Sequence, residues 1–313
     1  MELDKKKHGA KTHHTTQKKR HAIQLVWALL TNRYLTGFLY GKIYTGKLKQ
    51  LCVPGLNCYS CPGALGSCPI GALQAVLGSR NFKFSFYLAG FFLLIGALMG
   101  RFVCGFLCPF GLIQELLHKI PFFKKIRYVP GEKVLVKLKY LILLIFVILL
   151  PLYAVDILGQ GSPWFCKLIC PAGTLEGGLP LVFLNEALQN TIGFLYAWKN
   201  AILILTILAS ILIYRPFCKF ICPLGAIYSF FNRVAIFRHR VDPKRCTECR
   251  LCAHICPMNV NPAKNPNSAE CIRCGACIKA CPAQALSHTF TKRTEISSHT
   301  TSSAPLPPSS NGY

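Results

Sequence analysis

Two stretches of the chain carry one pattern. Cys246-Thr-Glu-Cys249-Arg-Leu-Cys252-Ala-His-Ile-Cys256-Pro257 is followed by Cys271-Ile-Arg-Cys274-Gly-Ala-Cys277-Ile-Lys-Ala-Cys281-Pro282. Each reads Cys-x2-Cys-x2-Cys-x3-Cys-Pro. A 4Fe–4S cube needs four thiolates at the corners of a tetrahedron. Three closely spaced cysteines in a tight loop supply three, and in this run the fourth cysteine serves the other cluster. Cys246, Cys249, Cys252 and Cys281 are therefore assigned to one cube. Cys271, Cys274, Cys277 and Cys256 are assigned to the second. A zinc pair is the bland alternative, but zinc sites have no use for a third cysteine two residues further on. Disulfides between cysteines this close would be strained.

A second pattern flanks apolar runs. Arg101-Phe-Val-Cys104-x3-Cys108-Pro-Phe-Gly111 and Arg215-Pro-Phe-Cys218-x3-Cys222-Pro-Leu-Gly225 share one layout. Residues four apart lie on one face of a helix. Two such helix ends side by side would present four thiolates, Cys104, Cys108, Cys218 and Cys222, to one metal or redox centre. The alternative is buried, unligated cysteine acting as a small hydrophobe. Cys58, Cys61 and Cys68 lie in a Pro- and Gly-rich loop with Cys52, and Cys166-x3-Cys170-Pro sits in another. These are candidates for a further centre, with Cys52 spare and disulfides as the other reading of the loop.

The elements that must hold these residues follow from composition. The chain has 313 residues, 52% of them hydrophobic, and a mean hydropathy of +0.38, which is high for a soluble domain. Apolar runs at Ala22–Tyr40, Phe84–Val103, Tyr140–Val155 and Ala201–Tyr214 predict about four transmembrane helices, the first weakened by Asn32 and Arg33. The expected fold class is thus a membrane α-helical part, followed by a segment whose cysteine runs resemble a two-cluster bacterial ferredoxin and so imply a small α+β domain. The expected domains are a basic, disordered cytoplasmic tail at 1–21, the membrane domain with its Cys-rich loops at 22–232, the ferredoxin domain at 233–287 and a disordered tail at 288–313. The net charge is +25, but the basic residues flank apolar spans rather than forming an aromatic-studded face, so nucleic acid is not the expected partner. The same asymmetry places the loops after Cys108 and Cys222 in the cytoplasm and the loop near Glu176 outside. Eighteen cysteines mean metal, a disulfide framework or both, and the eight in the two repeats demand a reducing compartment or an anaerobic organism.

The stretch from about Val241 to Ser287 resembles a bacterial two-cluster ferredoxin domain. Apolar spans ending in Cys-x3-Cys-Pro ahead of such a domain resemble the NapH-type membrane polyferredoxins, with related arrangements in NosR-type and CcoG-type proteins. The resemblance covers roughly Arg20 to Ser287. It implies a multi-pass protein of the bacterial cytoplasmic membrane with two 4Fe–4S clusters, passing electrons between a ferredoxin or the quinone pool and a partner redox protein. The alternative class is an iron–sulfur redox sensor or assembly factor. No nucleotide loop and no nucleophile–base pair is present, so any catalysis would be redox; no residue is assigned a catalytic role. No histidine falls in a predicted span, which argues against a bis-histidine haem.

Overall fold

The computed structural model describes residues 2–79 (backbone alone before Gln17), 85–121, 124–156, 160–190 and 192–290. The expected disordered tail after His288 lies, beyond Phe290, outside the described residues.

Two helices are long and apolar enough to cross a membrane: Glu132–Tyr153 and Phe194–Leu212. Their most apolar windows are only 28% and 17% buried. The core helix of a soluble protein would be mostly buried, so these two carry apolar surface that water does not suit. Phe86–Met99 is apolar but shorter, with Phe86, Leu93 and Leu94 exposed. The sequence predicts four spans, and the described residues contain two of spanning length. The run Ala22–Tyr40 fails because its helix ends at Thr31. Asn32 turns its side-chain amide back to the Ala28 carbonyl, and a separate short helix, Thr36–Tyr40, follows. Pro151, which lacks an N–H, follows a π-helical stretch, Leu143–Leu149, within one continuous helix.

The basic N-terminal segment lies in the helix Glu2–Thr31. Its end is pinned by charge. Arg20 forms an ion pair with Glu115, Arg215 Nε lies 2.6 Å from the same carboxylate, and His21 and Tyr214 also reach it. Glu115, Arg20 and Arg215 are all buried. Burial alone would push Glu115 up, but Arg215, the His21 hydrogen bond and Arg20 hold it well below the ordinary carboxylate range. A depressed carboxyl pKa contributes stability above its unfolded value and loses it as pH falls through the folded one. Glu115→Gln leaves two guanidinium groups buried without a counter-charge, and should cost roughly 3–5 kcal/mol. Thermal unfolding in detergent measures this; an unchanged midpoint would show the cluster to be solvated.

The C-terminal part is small. Strands Arg238–Val241 and Leu286–Thr289 pair antiparallel, with Val241 opposite Leu286. Helices Leu251–Ile255 and Ala276–Ala280 pack against each other, and no helix or strand interrupts 258–270. Ionic and polar anchors fix this part to the helices. Arg101 Nη1 donates to Ala269 O at 2.9 Å and to Glu270 Oε2 at 2.7 Å, and Lys139 reaches the other Glu270 oxygen. Asn232 Nδ2 donates to the carbonyls of Ser268 and Cys271, both at 2.8 Å. Arg273 returns the contact, donating to the carbonyls of Met99, Phe237 and Asn232.

Candidate metal centres

The eight C-terminal cysteines sort into two cavities. One, of about 270 Å³, is lined by Cys246, Cys249, Cys252 and Cys281. The other, of about 20 Å³, is lined by Cys271, Cys274, Cys277 and Cys256. The backbone makes this grouping. Glu248, Arg250 and Arg273 adopt left-handed conformations, as does Gly275. Side chains rarely accept that geometry, and it persists where the surroundings demand it. Here it folds each short loop back so that successive cysteines face one hollow. His239, buried at 2% exposure with neither ring nitrogen paired, also lines the second cavity. Two unpartnered nitrogens in a core are costly unless something in the hollow meets them.

The paired Cys-x3-Cys-Pro segments come together as a third group. Cys104, Cys108, Cys218 and Cys222 are all buried. The two segments clasp each other reciprocally. Arg101 Nη2 donates to Cys218 O at 3.2 Å, and Arg215 Nη1 donates to Cys104 O. The glycine after each Cys-Pro step makes room: a Cβ on Gly111 would lie 3.0 Å from the Arg215 guanidinium, and one on Gly225 3.5 Å from that of Arg101. Proline opens each following helix, and the preceding sulfur caps it. Cys108 Sγ accepts from Gly111 N–H and Cys222 Sγ from Gly225 N–H, each at 3.4 Å. Gln114 donates from Nε2 to Cys218 Sγ at 3.1 Å, while its Oε1 accepts from Phe217 N–H at 3.2 Å.

The remaining cysteines divide. Cys58, Cys68, Cys166 and Cys170 share a cavity of about 550 Å³; Cys52 and Cys61 are not in its lining. Glu176 is half-buried and accepts from Cys58 N–H at 2.6 Å; desolvation pushes its carboxyl up to about 7. Burial also pushes the thiols of Cys58, Cys68 and Cys166 up to about 12. Free thiols there stay protonated, and a bound metal core is the kind of cation that ionises them.

Among the described residues, no three His, Cys, Asp or Glu side chains converge as a single-ion site requires. A cube makes a different demand. Each thiolate bonds its own iron, so four sulfurs stand around a hollow rather than on a point. The cysteine-lined hollows fit that demand in donor type.

Sequence reasoning overlooked Gln74, Gln114, His239 and the Arg20–Glu115 pair. For the glutamines a signal existed: Cys68-Pro-Ile-Gly-Ala-Leu-Gln74 and Cys108-Pro-Phe-Gly-Leu-Ile-Gln114 place a glutamine six residues after the cysteine in both cases.

Comparison with known proteins agrees with the chemistry. A family described as a 4Fe-4S binding domain matches residues 67–87, 84–130 and 197–244, and one described as a 4Fe-4S dicluster domain matches 238–282. The uncharacterized protein MJ0749 of Methanocaldococcus jannaschii is 32% identical over 210 residues, spanning 65% of this chain and 70% of its own. The putative electron transport protein YccM of Escherichia coli is 25% identical over 200 residues, 61% of this chain and 51% of its own. The regulatory protein NosR of Stutzerimonas stutzeri is 26% identical over 189 residues, 58% of this chain but 23% of its own. No solved structure matches. Cysteine-lined hollows, 4Fe-4S family matches and these relatives converge: the chain belongs to the NapH/NosR-type family of iron–sulfur membrane proteins.

Proposed function

We propose that this protein is a membrane-bound relay that conducts electrons along a line of 4Fe–4S clusters, between a redox protein at the ferredoxin end and an acceptor or donor, a quinone or second redox protein, at the membrane end. When bound, each cluster takes up one electron and gives it back. The rest is the work of the chain. One contact carries the reading: the backbone of Gly105, between Cys104 and Cys108, lies directly against the Ile272 carbonyl, between Cys271 and Cys274. The ligand loop of a ferredoxin site thus abuts that of the membrane-domain quartet, with no intervening layer. Cys249 is exposed, so a soluble partner can approach it. In this reading Cys246, Cys249, Cys252 and Cys281 hold the entry cluster, Cys271, Cys274, Cys277 and Cys256 the next, and Cys104, Cys108, Cys218 and Cys222 a third.

Beyond the third site the packing continues. Tyr228, fully buried, donates from its hydroxyl to Pro54 O at 3.0 Å. Pro54 leads into Gly55, whose Cβ position is 2.6 Å from Leu107 O, and Leu56, which lines the Cys58 cavity. These residues exclude water and hold the two membrane-domain groups at fixed separation. In orientation, the ferredoxin end faces the cytoplasm, by the basic connections around the helices.

Full-length protein purified anaerobically in detergent should carry at least about twelve irons, four for each of these three sets. Its clusters should reduce with dithionite and reoxidise reversibly, followed by electron paramagnetic resonance. Zinc in place of iron, or iron that does not cycle, would overturn the relay and leave a structural or regulatory metal protein.

A further inference from the structure

We propose that Cys58, Cys68, Cys166 and Cys170 form a fourth 4Fe–4S site, built on the plan of the Cys104 quartet. It rests on the relay reading and extends it. The 4Fe-4S family matches reach Cys68 but not Cys58, Cys166 or Cys170.

The plan is repeated contact by contact. Cys170 Sγ accepts from Gly173 N–H at 3.4 Å, as Cys222 accepts from Gly225. Gln74 Nε2 donates to Cys166 Sγ at 3.3 Å, as Gln114 donates to Cys218. Gln74 Oε1 accepts from Phe165 N–H at 3.0 Å, as Gln114 accepts from Phe217, and both phenylalanines immediately precede their cysteine. Two independent bonds at each glutamine, matched in donor, acceptor and register, are more than packing requires of buried thiols. The fourth corner differs. Where the Cys104 quartet uses a cysteine four residues before Cys108, this site uses Cys58. A Cβ on Gly173 would lie 3.7 Å from Cys58 Sγ and 3.8 Å from Cys170 Sγ, so both sulfurs flank the same glycine. Cys61, nearer in sequence to Cys68, is turned toward the N–H groups of Gly63 and Ala64 in its own loop and is not in the cavity lining.

The cavity, at about 550 Å³, is far larger than one metal ion fills. Lys199 lines it and supplies positive charge against a thiolate-bound cluster, which is negative overall. Loading is ligation alone. A core delivered on a carrier's four thiolates exchanges ligands: four iron–sulfur bonds to the carrier break as four form here, each cysteine's proton passes to a departing thiolate, and no electron is gained or lost.

The experiment is iron counting and redox titration on full-length, anaerobically purified protein. Wild type should hold about sixteen irons per chain, and Cys166→Ser with Cys170→Ser about twelve, at four per cube. Cys61→Ser should keep the wild-type count. Gln74→Leu should keep all the iron but move one cluster signal to lower potential, because a donor to a ligand sulfur favours the reduced cluster. A double variant retaining all its iron, a Cys61 variant losing four, or zinc at this site would overturn the proposal. If the double variant fails to fold, Gln74→Leu decides: no shift in any signal counts against the site. Failure here leaves about twelve irons cycling reversibly, whereas failure of the relay would show in the ferredoxin signals themselves.

Discussion

Replacing Cys104 and Cys218 together by serine should remove about four irons per chain, at four per cube, and leave the ferredoxin signals intact. It should also stop electrons supplied at the ferredoxin end from reaching a quinone analogue in the membrane. The two cysteines lie on the two clasped segments, so the pair takes one corner from each half of the site. Serine is close in size, and the clasp itself runs through backbone carbonyls, Cys218 O and Cys104 O, that the substitutions leave in place. The fold therefore has reason to survive while the ligation does not. The Gln114 amide loses its sulfur acceptor but finds a hydroxyl in the same place. Iron analysis and stopped-flow reduction of the ferredoxin signals measure the two effects separately. A double variant with full iron and full electron passage would make these cysteines packing residues and the protein a membrane-tethered ferredoxin.

Gly105→Val should block electron passage by a different route, with the ligands untouched. A Cβ at residue 105 would run into the Ile272 carbonyl, and backbone cannot step aside as a flexible side chain can. Arg20 also donates to Gly105 O at 3.1 Å, which ties the segment to the N-terminal helix. The ferredoxin domain must shift away from the Cys104 group. Overpacking of this kind costs about 1–3 kcal/mol. Iron content should stay near wild type while intramolecular electron transfer slows sharply. Gly90→Ala is the control, since nothing lies within 4 Å of its Cβ position. Equal rates in both variants would show that the contact does not carry electrons.

What the sequence disclosed was what local spacing encodes. Two ferredoxin runs specify their own loops, and the structure groups Cys256 with the second run and Cys281 with the first. The Cys104 and Cys218 segments announced themselves by repetition. What stayed hidden depends on residues far apart in the chain. Nothing near Arg20 says that a buried Glu115 awaits it, so a run of lysines ending in arginine reads as a solvated tail. Glu176 reads simply as a loop acid, because sequence alone does not show the Cys58 N–H, more than a hundred residues away, that it accepts from. Span counting ran past Thr31 for a nearer reason: hydropathy sums apolar residues and does not register where a helix stops.

The reciprocal clasp of Arg101 and Arg215 has a consequence for how the protein is made. It joins segments more than a hundred residues apart, so Cys104 and Cys108 leave the ribosome long before their partners exist. A group of four is complete only when its last cysteine has been synthesised. Those last members are Cys170, Cys222, Cys277 and Cys281 for the Cys58, Cys104, Cys271 and Cys246 groups in turn. That is also their order in space, from the Cys58 cavity through the Cys104 quartet to the ferredoxin loops. Translation thus completes the Cys58 group first and the two ferredoxin groups last, and the Cys104 quartet, whose four thiols are all buried, is complete before the ferredoxin domain that abuts it.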